Sequence, residues 1–110
     1  MKLINSKIEK EIRDNLQKYS PLIMEDKVII NFLIQNFQEI KSVYVLQVTP
    51  DQGEELYTLL VNGDKVIDFE ISRINNSIYD IHIRTVGEYS KEIKNKLPKL
   101  KLLIALELSK

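Results

Sequence analysis

The chain has 110 residues, 44% of them apolar and 29% charged, with no cysteine and with 16 basic side chains balanced by 16 acidic ones. This mixture fits one globular domain over residues 1–110 and excludes disulfides, thiolate metal sites and cysteine nucleophiles. No signal peptide or membrane span is legible, since the longest apolar run, LKLLIALEL, is short and holds Lys101 and Glu107, so a cytoplasmic chain with no membrane association is expected.

The first element reads as a helix. Ile4, Ile8, Ile12, Leu16 and Tyr19 recur at helical spacing, and Ser6 with Glu9 has the spacing of a capping box. Ser20-Pro21 is expected to end it, because the residue before a proline avoids the helical region. A second helix is expected from about Glu25 to Phe37. Val28, Ile29, Ile30, Phe32, Leu33, Ile34 and Phe37 cover most of its circumference, which points to a central place in the core.

From Ser42 the period changes to two. SVYVLQV, ELYTLLV, KVIDFEI and SIYDIHIRT are short and rich in β-branched and aromatic residues. TPDQG, VNGD and INNS separate them, and Asn62-Gly63 is a strong hairpin dipeptide because both positions tolerate positive φ. The expectation is a four-stranded antiparallel meander. Thr85 and Glu88 then have capping-box spacing, and Ile93, Leu97, Leu100, Ile104 and Leu108 form a helical stripe. Pro98 should kink or split that helix. Leu100, Leu102, Ile104, Leu106 and Leu108 also alternate as a strand would, so a fifth strand over residues 99–109 is the alternative. The fold class is therefore α+β: two N-terminal helices, the meander and a C-terminal helix.

Two strand registers follow from the pattern. A two-residue Asn62-Gly63 turn sets Thr58 opposite Ile67 and Leu56 opposite Phe69, which turns Tyr57, Leu59 and Val61 outward. A three-residue loop, Asn75-Asn76-Ser77, sets Phe69 opposite Ile83 and Ile71 opposite Ile81. It pairs Asp68 with Arg84 and Glu70 with His82 on a polar face. His82 is the single histidine. As a cross-strand partner of Glu70 it needs no further role. The functional alternative is a carboxylate and imidazole site of Asp68, Glu70, Asp80 and His82 that binds a divalent metal or moves protons. A single imidazole is thin for zinc, and no metal is expected.

No phosphate-cradling glycine loop and no serine elbow occurs, so no catalytic residue and no cofactor are assigned. The zero net charge is a sum of opposed patches. Residues 51–80 carry seven acidic and two basic side chains, whereas residues 81–110 carry seven basic and three acidic. Lys91, Lys94, Lys96, Lys99 and Lys101 lie mostly opposite the apolar stripe and no aromatics interleave them, so nucleic acid is not the expected partner.

The first two strands are apolar on both faces. Either helices cover both, or a patch meets another chain. The expected function is a small non-catalytic protein-binding module, by size and surface of inhibitor or immunity type. Its candidate residues are Tyr44, Tyr57 and Leu59 as anchors, with Glu55, Asp68 and Glu70 at the rim and His82 and Arg84 beside them. A structural homodimer, and a small carboxylate/histidine enzyme or metal-binding domain, are the alternatives.

Overall fold

The computed structural model describes residues 6–110. Ile4 and the side chain of Ser6, the expected cap, lie outside the described residues. Eight elements follow in order: α1 (Ser6–Glu25), α2 (Lys27–Asn36), β1 (Val43–Asp51), β2 (Glu54–Val61), β3 (Lys65–Ser72), β4 (Ser77–Thr85), α3 (Val86–Glu92) and α4 (Lys96–Leu108). The strands form one antiparallel sheet in the order β1-β2-β3-β4, so the fold is α+β with the expected meander.

The expected break at Ser20-Pro21 does not occur, and α1 runs through Pro21. A proline here removes one helical hydrogen bond and crowds the carbonyl of Gln17. Both residues are exposed, so water can satisfy that carbonyl. The chain breaks instead at Asp26, whose Oδ1 accepts from the amides of Val28 (3.1 Å) and Ile29 (3.2 Å) and caps α2. α2 is not central. It buries Ile29, Phe32 and Leu33 and leaves Ile34 57% exposed. Beyond the sheet the C-terminal segment is two helices, and the strand alternative is not realised. Thr85 Oγ1 accepts from the Glu88 amide, and a Glu88 carboxylate oxygen accepts from the Thr85 amide, completing the expected capping box. α4 starts at Lys96, which puts Pro98 in its first turn. There the missing N–H costs nothing, so the helix is not kinked.

Helices cover both faces of the sheet. On one face Ile29, Phe32 and Leu33 of α2 meet Val43, Val45, Leu59, Val61, Ile67, Phe69 and Ile71. On the other, Ile93 and α4 residues Leu102, Ile104 and Ala105 meet Leu46, Leu60 and Val66. α1 packs along β1 at the sheet edge, giving Leu16 to the second cluster and Ile23 to the first. Two buried faces explain why the first two strands are apolar on both sides.

Both expected registers are shifted. Val61 pairs with Lys65, so the loop holds Asn62, Gly63 and Asp64 rather than two residues. Asn62 (φ 59°) and Gly63 (φ 64°) are both left-handed. The Asn62 side chain fixes this turn, accepting from the amides of Lys41 (2.6 Å) and Ser42 (3.2 Å). The extra residue sets Leu59 opposite Ile67 and Tyr57 opposite Phe69. Tyr57, Leu59 and Val61 therefore face inward under α2. In the second hairpin Ile67 pairs with Ile83, Asp68 with His82, Glu70 with Tyr79 and Ile71 with Ile78. One residue of β3, Phe69, is spanned by two of β4, Asp80 and Ile81. This is a β-bulge, and Asp80 sits at φ 54°. A second bulge places Leu46 between the Val45–Leu59 and Gln47–Thr58 pairs, which lets adjacent Val45 and Leu46 serve opposite cores.

Candidate functional site

The candidate residues divide between the two faces. Glu55, Tyr57 and Leu59 lie on the α2 face. Leu59 is fully buried, so it is no surface anchor. Tyr57 is half-buried and stacks on Phe69, with ring centroids 5.5 Å apart. Its hydroxyl donates to Glu55 Oε1 at 2.8 Å. Burial and that carboxylate push the Tyr57 phenol up to about 12. Arg73 binds the same Glu55 oxygen through Nε (3.1 Å) and Nη2 (3.0 Å), and reaches Asp26 Oδ2 at 2.8 Å. The group ties β2 to the start of α2, which is a structural role.

Tyr44 lies on the other face, half-buried near the end of α4, where its hydroxyl donates to the Leu108 carbonyl at 3.3 Å. Asp68, Glu70, His82 and Arg84 share that face with Leu56 and Thr58 of β2. Arg84 lies in the same cross-strand row as Tyr44, Asp68 and His82 lie further along, and Glu70 lies towards the far end of the sheet. α4 does not cover this half. The result is an open groove of about 540 Å³. Leu56, Thr58, Asp68 and Glu70 contribute to its floor, while Tyr89, Glu92 and the connection from α3 to Pro98 form a wall.

Arg84 holds that wall in place. Its guanidinium is in ion pairs with Asp68 of β3 and Glu92 of α3, and lies 5.0 Å from the centroid of the Tyr89 ring. Charge pairing and a cation–π contact thus fasten α3 to the sheet. The expected Asp68–Arg84 pair forms, though as a diagonal contact, because His82 is the residue directly opposite Asp68. The expected Glu70–His82 pair does not form, since the bulge at Asp80 puts Tyr79 opposite Glu70. His82 is exposed on β4.

Glu70 has acidic company instead. A hydrogen bond with Asp80, partial burial, and the charges of Asp80, Glu54 and Asp51 raise its carboxyl above the usual range. The Tyr79 hydroxyl donates to Glu54, and that carboxylate pushes the phenol up to about 12. Among the described residues, Asp51, Glu54, Glu70 and Asp80 form no ion pair. Nor does any group of three or more Asp, Glu or His side chains among the described residues converge closely enough to hold a metal ion. The negative charge is spread along the end of the sheet.

Sequence reasoning did not single out Glu54, Tyr79 and Tyr89. The acidic excess of residues 51–80 contained the signal for Glu54, but only the hairpin turns bring it to Glu70 and Tyr79. Lys91, Lys94, Lys96 and Lys99 are exposed and, among the described residues, make no ion pair with the patch, although Lys94 lines the same groove. Lys101 is half-buried instead of solvated, and burial lowers its pKa. Among the described residues no helix is long and apolar enough to cross a membrane. No protein-family model, curated protein or solved structure matches the chain.

Proposed function

We propose that this chain is a small non-catalytic binding module of the cytosol, of inhibitor or immunity type. It takes a basic, extended segment of a partner protein on the open half of its sheet. The observation that carries this reading is the row of four carboxylates, Asp51, Glu54, Glu70 and Asp80, without basic partners beside an uncovered groove. Their mutual repulsion opposes folding, and a cationic partner relieves it on binding. Because the charges are spread rather than convergent, they suit several Lys or Arg side chains better than one ion. Leu56, 38% exposed, and Tyr89 supply apolar area to the same groove.

The test is a titration of the protein with a lysine-rich decapeptide at low and moderate salt. Binding should weaken as salt rises. It should be lost in the Glu54→Lys/Glu70→Lys variant and kept in Glu11→Lys, an exposed carboxylate on α1. Equal affinity of all three proteins would overturn the reading.

A further inference from the structure

The two edges of the sheet differ. The β1 edge is covered by α1, and Pro50 removes one of its donors. The outer edge of β4 pairs with no other strand among the described residues, and α3 packs against the strand near Arg84. Edge strands in stable monomers are usually blunted by charge or covered. β4 carries the bulge at Asp80, but beyond it the strand exposes two β-branched residues on its α2 face, Ile81 at 43% and Ile83 at 45%.

The strand is also self-complementary. Asp80-Ile81-His82-Ile83-Arg84 reads acid, apolar, histidine, apolar, base about its centre. We propose that β4 pairs antiparallel with β4 of a second copy about a two-fold axis at His82, making one continuous sheet from two. In that register Ile81 meets Ile83 of the second copy, and Ile83 meets its Ile81. On the opposite face Asp80 comes across from Arg84 of the second copy, which keeps its own pairs with Asp68 and Glu92, so opposite charges lie near each other. A two-fold at Ile83 would leave Asp80 without a basic partner. On the α2 side, the groove that includes Ile78 and Ile81 is lined by Asn31, Gln35, Asn36 and Asn76, all uncharged, so no like charges oppose a second copy there. Main-chain hydrogen bonds along the edge supply the affinity, as in other strand additions. Glu54, Leu56 and Glu70 lie on interior strands and stay open to the partner proposed above, whereas Asp80, on the edge strand, is engaged in both readings. The pairing is therefore tested at Ile81 and Ile83, which lie on the other face.

The chain has no cysteine, so a single engineered one reports the register. Directly opposed residues in an antiparallel pair have Cα atoms about 4.5–5.5 Å apart, within the roughly 4.4–6.8 Å that a disulfide spans. Sedimentation of the unmodified protein should show a dimer at tens of micromolar. Under mild oxidation His82→Cys should cross-link within the dimer, while Ile74→Cys, on a residue 85% exposed in the β3–β4 loop, should not. Ile83→Lys, and independently Ile81→Lys, should give monomers with unchanged far-ultraviolet circular dichroism. A monomer at several hundred micromolar, a dimer that both lysine variants leave intact, or equal cross-linking from positions 74 and 82 would overturn the proposal.

Discussion

The Arg73 guanidinium lies 2.8 Å from one oxygen of Asp26, whose other oxygen caps α2. One carboxylate thus starts a helix and joins it to the β3–β4 loop. Asp26→Ala should destabilise the fold by about 1–3 kcal/mol, from the lost cap and an unpaired Arg73. Asp26→Asn keeps a capping acceptor and should cost less. Burial opposes ionisation of Asp26, but the bonds from Arg73 and the Ile29 and Val28 amides outweigh it and lower its pKa. A lowered carboxylate pKa means stability that is present above the unfolded value of about 3.9 and is lost as pH falls through the folded value. Chemical denaturation from pH 6 to pH 2 should therefore show a smaller acid loss for Asp26→Asn than for the parent.

Tyr57 gives the matching test in alkali. Its phenol is held protonated to about 12, mainly by burial and then by the Glu55 carboxylate. The unfolded phenol ionises near 10, so the unfolded state binds fewer protons above that pH. Stability should fall as pH rises from 10 towards 12, and Tyr57→Phe should remove that part of the slope. At neutral pH the same substitution should cost about 0.5–1.5 kcal/mol, the worth of one hydrogen bond. Equilibrium unfolding of both proteins across this range checks both points.

The register of the β2–β3 hairpin decides which leucine is structural. Leu59 faces Ile67 in the core and Leu56 faces Glu70 in the groove. Leu59→Ala should cost about 2–5 kcal/mol, and Leu59→Lys should not fold. Leu56→Lys should fold, with a loss of about 1 kcal/mol or less. A two-residue Asn62-Gly63 turn would reverse that ranking, so thermal melts of the two lysine variants discriminate the registers.

The acidic row should cost stability. The Glu70 pKa is raised, chiefly by its hydrogen bond with Asp80, so folding favours the protonated form. That contribution is fully present below the unfolded pKa and is lost as pH rises through the folded value. Glu70→Gln should raise the melting temperature at pH 7 and leave it unchanged near pH 3. A melt at each pH is sufficient to see it.

Much of this fold is legible in local chemistry. The alternation of Ile67, Phe69 and Ile71 marks a strand, Thr85 and Glu88 mark a helix start, and Asn62-Gly63 marks a turn. What is not legible is register. Asp64 joins the loop as a third residue, which turns all of β2 over. Leu46 and Asp80 bulge, and neither carries a distinctive local signal, because the bulges serve the packing of two opposed cores and a sheet edge. Pro21 misleads for a different reason: its cost is borne because water can satisfy the Gln17 carbonyl and because Leu16 and Ile23, on either side of it, are buried against the sheet. Of the candidate site, Asp68, Glu70, His82 and Arg84 do share a face. Tyr57 and Leu59 do not, because their placement depended on a register shifted by one residue. Glu54 and Tyr79 reach the groove only through hairpin geometry, and spacing in the chain does not reveal that.

The central claim is that the carboxylates at the far end of the sheet receive a basic segment. Amide nuclear magnetic resonance of the folded protein, titrated with a lysine-rich decapeptide at low salt, tests it most directly. The expected result is a continuous set of shifts over Thr49, Leu56, Glu70, Tyr79 and Asp80 that disappears when salt is raised. Shifts confined to the opposite end of the sheet, around Gly63 and Ser109, or none at all, would contradict it.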